Sequence, residues 1–273
     1  MNELTPQIQR LKGAGDADQA YCCMGEAPTP WPQALCACRD WMSDNLGRHV
    51  EGYHMRLAGG EVVGHLYFAL SEQALFPYRL EENVGVMYCE WVQQRYQKQG
   101  LGRLLYDTFE ADMDEAGVKG IVIEGTDLPG QMHIDHFLPR GFKVIQESGH
   151  QKLLYRPLSQ DQITAERLQP RALSGPAENE LPVIGPSVTG PSVEIVIVRG
   201  YMCPYDTATL LLLPGVAQEF GDRVRLRQVP LTRQSLLDYG VTSGVFINGV
   251  QKLAGGESEE AIRQVIREEI GSE

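Results

Sequence analysis

Long apolar runs are missing from this sequence. No stretch approaches the roughly 20 residues that a membrane-spanning helix needs, and the first residues show no charged-then-apolar leader. Positive charge is scarce as well: 24 Lys and Arg stand against 36 Asp and Glu, a formal net charge of −12. Phosphate backbones are gripped by basic faces, so the balance argues against nucleic acid as the main partner. Cysteine is thinly spread, with Cys22, Cys23, Cys36, Cys38, Cys89 and Cys203. In a long chain without an export signal these read as reduced thiols rather than a disulfide framework. A soluble cytoplasmic protein with no membrane partner is the expectation. Internal repeats and low-complexity tracts are also wanting.

Length, by contrast, is ample. The chain has 273 residues, enough for two domains that each bury a core. Residues 159–192 stand apart: Gly175-Pro176, Gly185-Pro186 and Gly190-Pro191, with Pro170 and Pro182, punctuate a stretch of little apolar periodicity. A linker there divides the chain into a domain of residues 1–158 and a second of residues 193–273.

In the first domain, Trp31-Pro32 precedes Leu35, Cys38, Trp41 and Met42, a helical face with proline in its first turn. Residues 50–57 and 61–70 read as a hairpin joined by Ala58-Gly59-Gly60. Residues 84–92, Val-Gly-Val-Met-Tyr-Cys-Glu-Trp-Val, form a strand, and Gln97-Lys98-Gln99-Gly100-Leu101-Gly102 follows it. Leu104, Leu105, Phe109 and Met113 then lay an apolar stripe along a helix. A glycine turn opening into a helix N-terminus aims several N–H donors and a positive dipole end at one spot, which suits a pyrophosphate. Neither G-x-x-x-x-G-K-[ST] nor G-x-G-x-x-G with its distant acid occurs, so a nucleotide P-loop and a dinucleotide fold are unlikely readings.

The pattern that does stand here, Q-x-x-G-x-G, resembles motif A of the GNAT acyltransferases (the GCN5-related N-acetyltransferase superfamily). Trp91-Val92 and Tyr96 supply the aromatic context seen in that family. Lys119 to Glu124 resembles its next strand, and Gly141-Phe142-Lys143-Val144 its closing "GF" strand. The resemblance implies a mixed, mostly antiparallel α/β fold and acetyl-CoA as acyl donor. It also implies an amine acceptor, a small molecule or a protein, with a homodimer left open. It places the pyrophosphate on the backbone of Gln97, Lys98, Gln99, Gly100, Leu101 and Gly102, and the pantetheine on the strand end at Trp91 and Val92.

For proton transfer, Glu90 and Tyr88 lie two apart on the strand and are expected on one face. Glu90 acting through water is the candidate general base; a half-solvated strand carboxylate is the alternative. The family often carries a Tyr as general acid shortly before the "GF" strand, and Phe137 occupies that position here. His133 and His136 stand nearby, and transfer without a dedicated acid is also open. Cys36 and Cys38, two apart on a helix, point to nearly opposite sides and cannot grip one ion together. Cys22-Cys23 leaves packing, a soft metal and a redox role open. No resident metal is assigned.

The second domain opens with the strand 193–198. Cys203-Pro204-Tyr205-Asp206 follows and leads into a helix through Leu213. Residues 224–229 read as a strand, 234–239 as a short helix and 245–249 as a strand ending in a turn. Ser258 caps a last helix with Ile262, Val265, Ile266 and Ile270 on its apolar face. Cys203 to Asp206 resembles the glutaredoxin CPYC motif with its second Cys replaced. Residues 241–249 resemble that family's T-V-P-x-V-F-I-N-G, with Ser243 where its cis-proline stands, and Gly255-Gly256 its double glycine. A small thioredoxin-like domain is implied, used for binding or scaffolding, with Cys203 as a redox thiol the alternative. The pairing resembles the YoaP-like GNAT proteins of prokaryotes. The overall expectation is an acetyl-CoA-dependent N-acetyltransferase. Its rivals are a thiol- or metal-responsive CoA-binding protein and a monothiol redox protein centred on Cys203.

Overall fold

The computed structural model describes residues 6–24, 31–129, 132–171 and 193–271. The chain divides into two compact units, and they are not two consecutive blocks. Residues 31–41 and 75–79 cluster with the stretch from Arg167 onward, while the rest up to Glu166 forms the first unit. Most of the expected linker, residues 172–192, lies outside the described residues. Its first part is tied down: the N–H groups of Leu158, Ser159 and Gln160 all donate to the Lys119 carbonyl at 3.0–3.1 Å. No helix of the described residues is long and apolar enough to cross a membrane.

The first unit is built on a seven-stranded sheet. Its strands are β1 (Gln7–Arg10), β2 (Glu51–Arg56), β3 (Val62–Leu70), β5 (Gly85–Val92), β6 (Gly120–Thr126), β7 (Lys143–Ser148) and β8 (Gln151–Pro157). They run in the order β1-β2-β3-β5-β6-β8-β7, antiparallel except for β5 and β6. Short strands β4 (Tyr78–Leu80) and β9 (Ala165–Arg167) lie outside this sheet. The helices before the motif are α1 (Ala14–Ala17) and α2 (Pro32–Asn45), and α3 (Leu101–Glu115) follows it. The hairpin, the strand after it and the helix after the glycine turn fall where the sequence pattern puts them. The polar strand β1, with the sequence Gln-Ile-Gln-Arg, carries no apolar alternation and escapes that reading.

The core lies between the sheet and α3. Leu105, Tyr106, Phe109 and Met113 meet Tyr53, Leu66, Phe68, Met87 and Ile123. Leu104 is a correction to the expected stripe: it is 44% exposed. Residues 105, 109 and 113 repeat every fourth position, and Leu104 falls one residue back, off that arc. Tyr106 takes its place in the core.

The second unit carries a four-stranded sheet in the order β11-β10-β12-β13. Its strands are β10 (Val193–Arg199), β11 (Val224–Pro230), β12 (Gly244–Ile247) and β13 (Val250–Leu253). β10 pairs parallel with β11 and antiparallel with β12. Helices α4 (Pro204–Gln218), α5 (Arg233–Tyr239) and α6 (Glu259–Gly271) complete it. α4 runs past the expected end at Leu213 and through Pro214, because Leu213, Val216 and Ala217 are all buried in one core. Packing there outweighs the proline's cost. Ser258 caps α6 as expected, accepting from the Ala261 N–H at 3.3 Å. Ile262 and Ile266 are fully buried.

Candidate active site

Two strand irregularities shape the site. β5 and β6 keep register only from Gly85 opposite Ile121 to Met87 opposite Ile123. β5 continues to Val92 against β3, and β6 to Thr126 against β8. Among the described residues the two parallel strands therefore part after Met87, leaving the Tyr88–Val92 backbone edge without a strand on that side. Opposite it, Tyr67 pairs with Cys89 and Phe68 with Met87, so Tyr88 is the extra residue of a β-bulge. Bulges break alternation and re-aim side chains. Tyr88 and Glu90 engage separate partners: the Tyr88 hydroxyl donates to the His49 carbonyl at 3.0 Å, and Glu90 meets Arg140.

The turn above this opening is held by its own polar groups. The Gln97 side-chain amide donates to the Val92 carbonyl at 2.8 Å, pinning the turn to the end of β5. Lys98 has φ +60° and Gly100 φ +82°, both left-handed. Gly100 is the N-cap of α3, where no side chain caps the helix and no acid stands in the first turn. The leading N–H groups and the positive dipole end thus stay available for an anion. A Cβ at Gly102 would come within 3.1 Å of the Glu90 Oε1, so the glycine lets the carboxylate lie against the first turn of the helix.

Glu90 is the charged centre of the opening. Both carboxylate oxygens are held by the Arg140 guanidinium, one of them at 3.1 Å. Arg140 in turn lies 4.8 Å above the Tyr106 ring. Burial pushes the Glu90 carboxyl above the ordinary carboxylate range, and Arg140 only partly draws it back. Arg140 escapes the sequence reading, since a lone arginine in a loop carries no periodic signal. Phe137 is buried and packs edge-on against Phe142, so the position where a Tyr might have served as acid is core. His133 accepts from the Asp135 N–H at 3.2 Å as a local cap. His136 is exposed.

Behind β5, on the face that carries His65 and Tyr67, sits a second polar cluster. The Cys22 Sγ is 3.1 Å from His65 Nδ1, and the Cys89 Sγ is 3.6 Å from its Nε2. Cys22 and Cys23 are both reduced and occupy a short 3-10 turn. Among the described residues no three His, Cys, Asp or Glu side chains are grouped to hold a metal ion.

Residues 20–142 match the model of a family described as the acetyltransferase (GNAT) family. Residues 20–142 form a GNAT acetyltransferase domain. The match takes in the opening between β5 and β6, the glycine turn and α3.

Among solved structures, a putative GNAT acetyltransferase from Desulfovibrio desulfuricans is similar at 15% identity. It covers 57% of this chain and 99% of its own, with a TM-score of 0.46. The ribosomal-protein-S18-alanine N-acetyltransferase of Escherichia coli matches at 16% identity over 58% of this chain and 97% of its own, TM-score 0.42. The PaiA N-acetyltransferase of Thermoplasma acidophilum, in complex with coenzyme A, matches at 12% identity over 56% and 99%, TM-score 0.39. A search of curated proteins finds no match.

In the second unit, Cys203 is the N-cap of α4 with Pro204 in the first turn. Asp206 is half-buried, and desolvation together with Glu257 pushes its carboxyl up to about 7. Tyr205 meets Trp31 edge-on at 5.2 Å, and the Cys38 Sγ lies 3.2 Å from Thr207 Oγ1. Cys38 is fully buried while Cys36 is exposed, the opposed pair that helical spacing predicts.

Proposed function

We propose that the GNAT domain transfers an acetyl group from acetyl-CoA to an amine, carried by a small molecule or a protein. The observation that carries this reading is the parting of β5 and β6 after Met87, directly before the uncapped N-terminus of α3. A phosphate-bearing donor suits both features. Its pyrophosphate would meet the N–H groups of the turn from Gln97 to Gly102, and its amide-bearing arm the end of β5 at Trp91 and Val92, where β6 has parted from it.

Transfer needs a neutral amine. Glu90, raised by burial, is the group that takes the amine's proton, through water, and Arg140 orients its carboxylate. Tyr88 takes no proton in this reading, because its hydroxyl is committed to the His49 carbonyl. The departing thiolate is protonated by solvent, since Phe137 offers no proton.

The second unit is read as a thioredoxin-like domain used for binding or scaffolding. Support comes from the strand-helix-strand order of β10, α4 and β11 with the β12–β13 hairpin, and from Cys203 at the helix N-terminus. Asp206 replaces the partner thiol that a dithiol cycle needs. Residues 31–41 pack on this motif through Trp31 and Cys38. A cytoplasmic setting and the split into domains 1–158 and 193–273 belong to the same reading.

The test is release of CoA thiol from acetyl-CoA by the full chain against a panel of primary amines. Amine-dependent release carried through to acetylated product supports the transferase. Tight binding without release against any amine favours a CoA-binding sensor instead.

A further inference from the structure

The Arg140 guanidinium lies at the helix end as well as on Glu90. A β-carbon at Gly102 would stand 3.1 Å from Glu90 Oε1 and 3.7 Å from Arg140 Nη2. Cation and carboxylate thus rest together against the first turn of α3, whose N-terminus carries no side-chain cap and no acid. The cation is held there from beneath. Tyr106, one turn further along α3 and fully buried, sets its ring 4.8 Å from the guanidinium. Phe142 packs on the same ring at 5.9 Å. Arg156, bound to Glu110 at 2.8 Å, lies directly against Gly141. The Arg140–Gly141–Phe142 segment is therefore docked on α3 and β8, support that a three-residue 3-10 turn cannot supply for itself.

Arg140 also has donors to spare. A guanidinium carries more N–H groups than one carboxylate can take. Nη1 and Nη2 each donate to Glu90, and the remaining N–H groups meet no acceptor among the described residues. A planar fork with free donors, beside a helix N-terminus, suits a phosphate oxygen.

We propose that Arg140 is a donor-binding residue whose guanidinium is shared between the Glu90 carboxylate and the pyrophosphate of acetyl-CoA. This rests on the reading that the turn from Gln97 to Gly102 holds that pyrophosphate. Without the donor, Arg140 belongs to Glu90 alone. With the donor seated, part of its hydrogen bonding turns to the phosphate, and the carboxylate gains an anionic neighbour. Both changes strengthen the hold of Glu90 on a proton. The other charged or titratable groups that face Glu90 are His136, on the segment that carries Arg140, and Asp107 of α3. Both are exposed to solvent, and Asp107 is 3.6 Å from Arg103, so Arg140 is the charge that governs the carboxylate. Glu90 is then a stronger base with the donor in place than without it. By reciprocity, acetyl-CoA binds more tightly as Glu90 takes up a proton.

The experiment is calorimetric titration of acetyl-CoA into wild type, Glu90→Gln, Arg140→Gln and the double variant, at pH 8 and pH 5. Glu90→Gln frees the guanidinium for the donor. It is expected to bind acetyl-CoA about tenfold more tightly than wild type at pH 8, with the gap narrowing at pH 5. Arg140→Gln is expected to bind about tenfold more weakly than wild type, and the double variant to show no gain over it. The donor's own phosphates titrate alike against all four proteins, so they drop out of the comparison. The double variant leaves no buried carboxylate unpaired, and it keeps the test readable where Arg140→Gln alone is destabilised.

Equal affinity in wild type and Glu90→Gln overturns the inference and leaves the transferase reading standing. A tenfold gain from Glu90→Gln that persists without Arg140 assigns the effect to charge repulsion alone, and overturns the sharing. No binding by any of the four proteins fails the transferase reading and the inference with it.

Discussion

Arg140 grips both oxygens of the Glu90 carboxylate across fifty residues of sequence, beside the first turn of α3. The pair is the one feature of the opening that joins charge, burial and position. A buried carboxylate left alone would be pushed further toward its protonated form.

That relationship sets the pH dependence of transfer. The base must be ionised, so the rate falls as pH drops through the raised Glu90 pKa. Glu90→Gln is expected to lower kcat about a hundredfold and erase that acid limb. Arg140→Gln removes the charge that draws the carboxyl down, so the limb moves to higher pH. A pH–rate profile of the three proteins checks this. An unmoved limb in Arg140→Gln would contradict the role given to the pair.

Removing Arg140 also leaves the largely buried Glu90 carboxyl without its ion-pair partner. Arg140→Ala is expected to cost about 3–5 kcal/mol of stability at pH 8, and less at pH 5 where Glu90 is nearer to neutral. Urea unfolding at the two pH values measures the difference. The double variant Glu90→Gln with Arg140→Ala should recover part of the loss.

Asp206 gives the second unit a pH dependence of its own. Its carboxyl is pushed up to about 7 in the fold, against an ordinary value of 3.8. Between those values the native state keeps a proton that the unfolded state has lost. Unfolding therefore releases a proton, and stability falls as pH rises through that window. Asp206→Asn is expected to be more stable than wild type at pH 8 and to lose that advantage near pH 4. Hydrogen exchange at α4 and β10, corrected for intrinsic rates, reads this unit directly.

The helix core of the first unit is expected to be intolerant of truncation. Phe109 is fully buried between Phe68 and Tyr106, with ring centroids at 4.9 and 6.2 Å. Phe109→Ala is expected to cost about 3–5 kcal/mol, whereas Leu104→Ala, on the exposed side, should change stability by less than about 1 kcal/mol. Chemical denaturation of both variants tests the corrected face of α3.

The strongly patterned parts of this chain are readable in its letters. β5, the glycine turn and α3 follow from β-branched alternation, a left-handed Gly100 and a fourfold apolar spacing. What escapes is set by contacts distant in sequence. Arg140 gains its meaning only by reaching Glu90, and His65 only by lying between Cys22 and Cys89. The bulge at Tyr88 adds one residue to one strand, which no periodicity records. Residues 31–41 and 75–79 join the second unit through burial of Trp41 and Leu75 against Leu168, Leu231 and Leu236, a grouping invisible to a linear division into domains.

The central claim is that the turn from Gln97 to Gly102 holds the pyrophosphate of acetyl-CoA. Calorimetric titration of acetyl-CoA into wild type and Gly100→Asp tests it most directly. A Cβ at Gly100 meets nothing within 4 Å, so the aspartate has room, but at φ +82° it adds backbone strain as well as negative charge at the helix N-terminus. Micromolar binding to wild type, lost in Gly100→Asp with the fold intact by circular dichroism, is the predicted result. Equal binding by both proteins would contradict the site, and no binding by either would contradict the account as a whole.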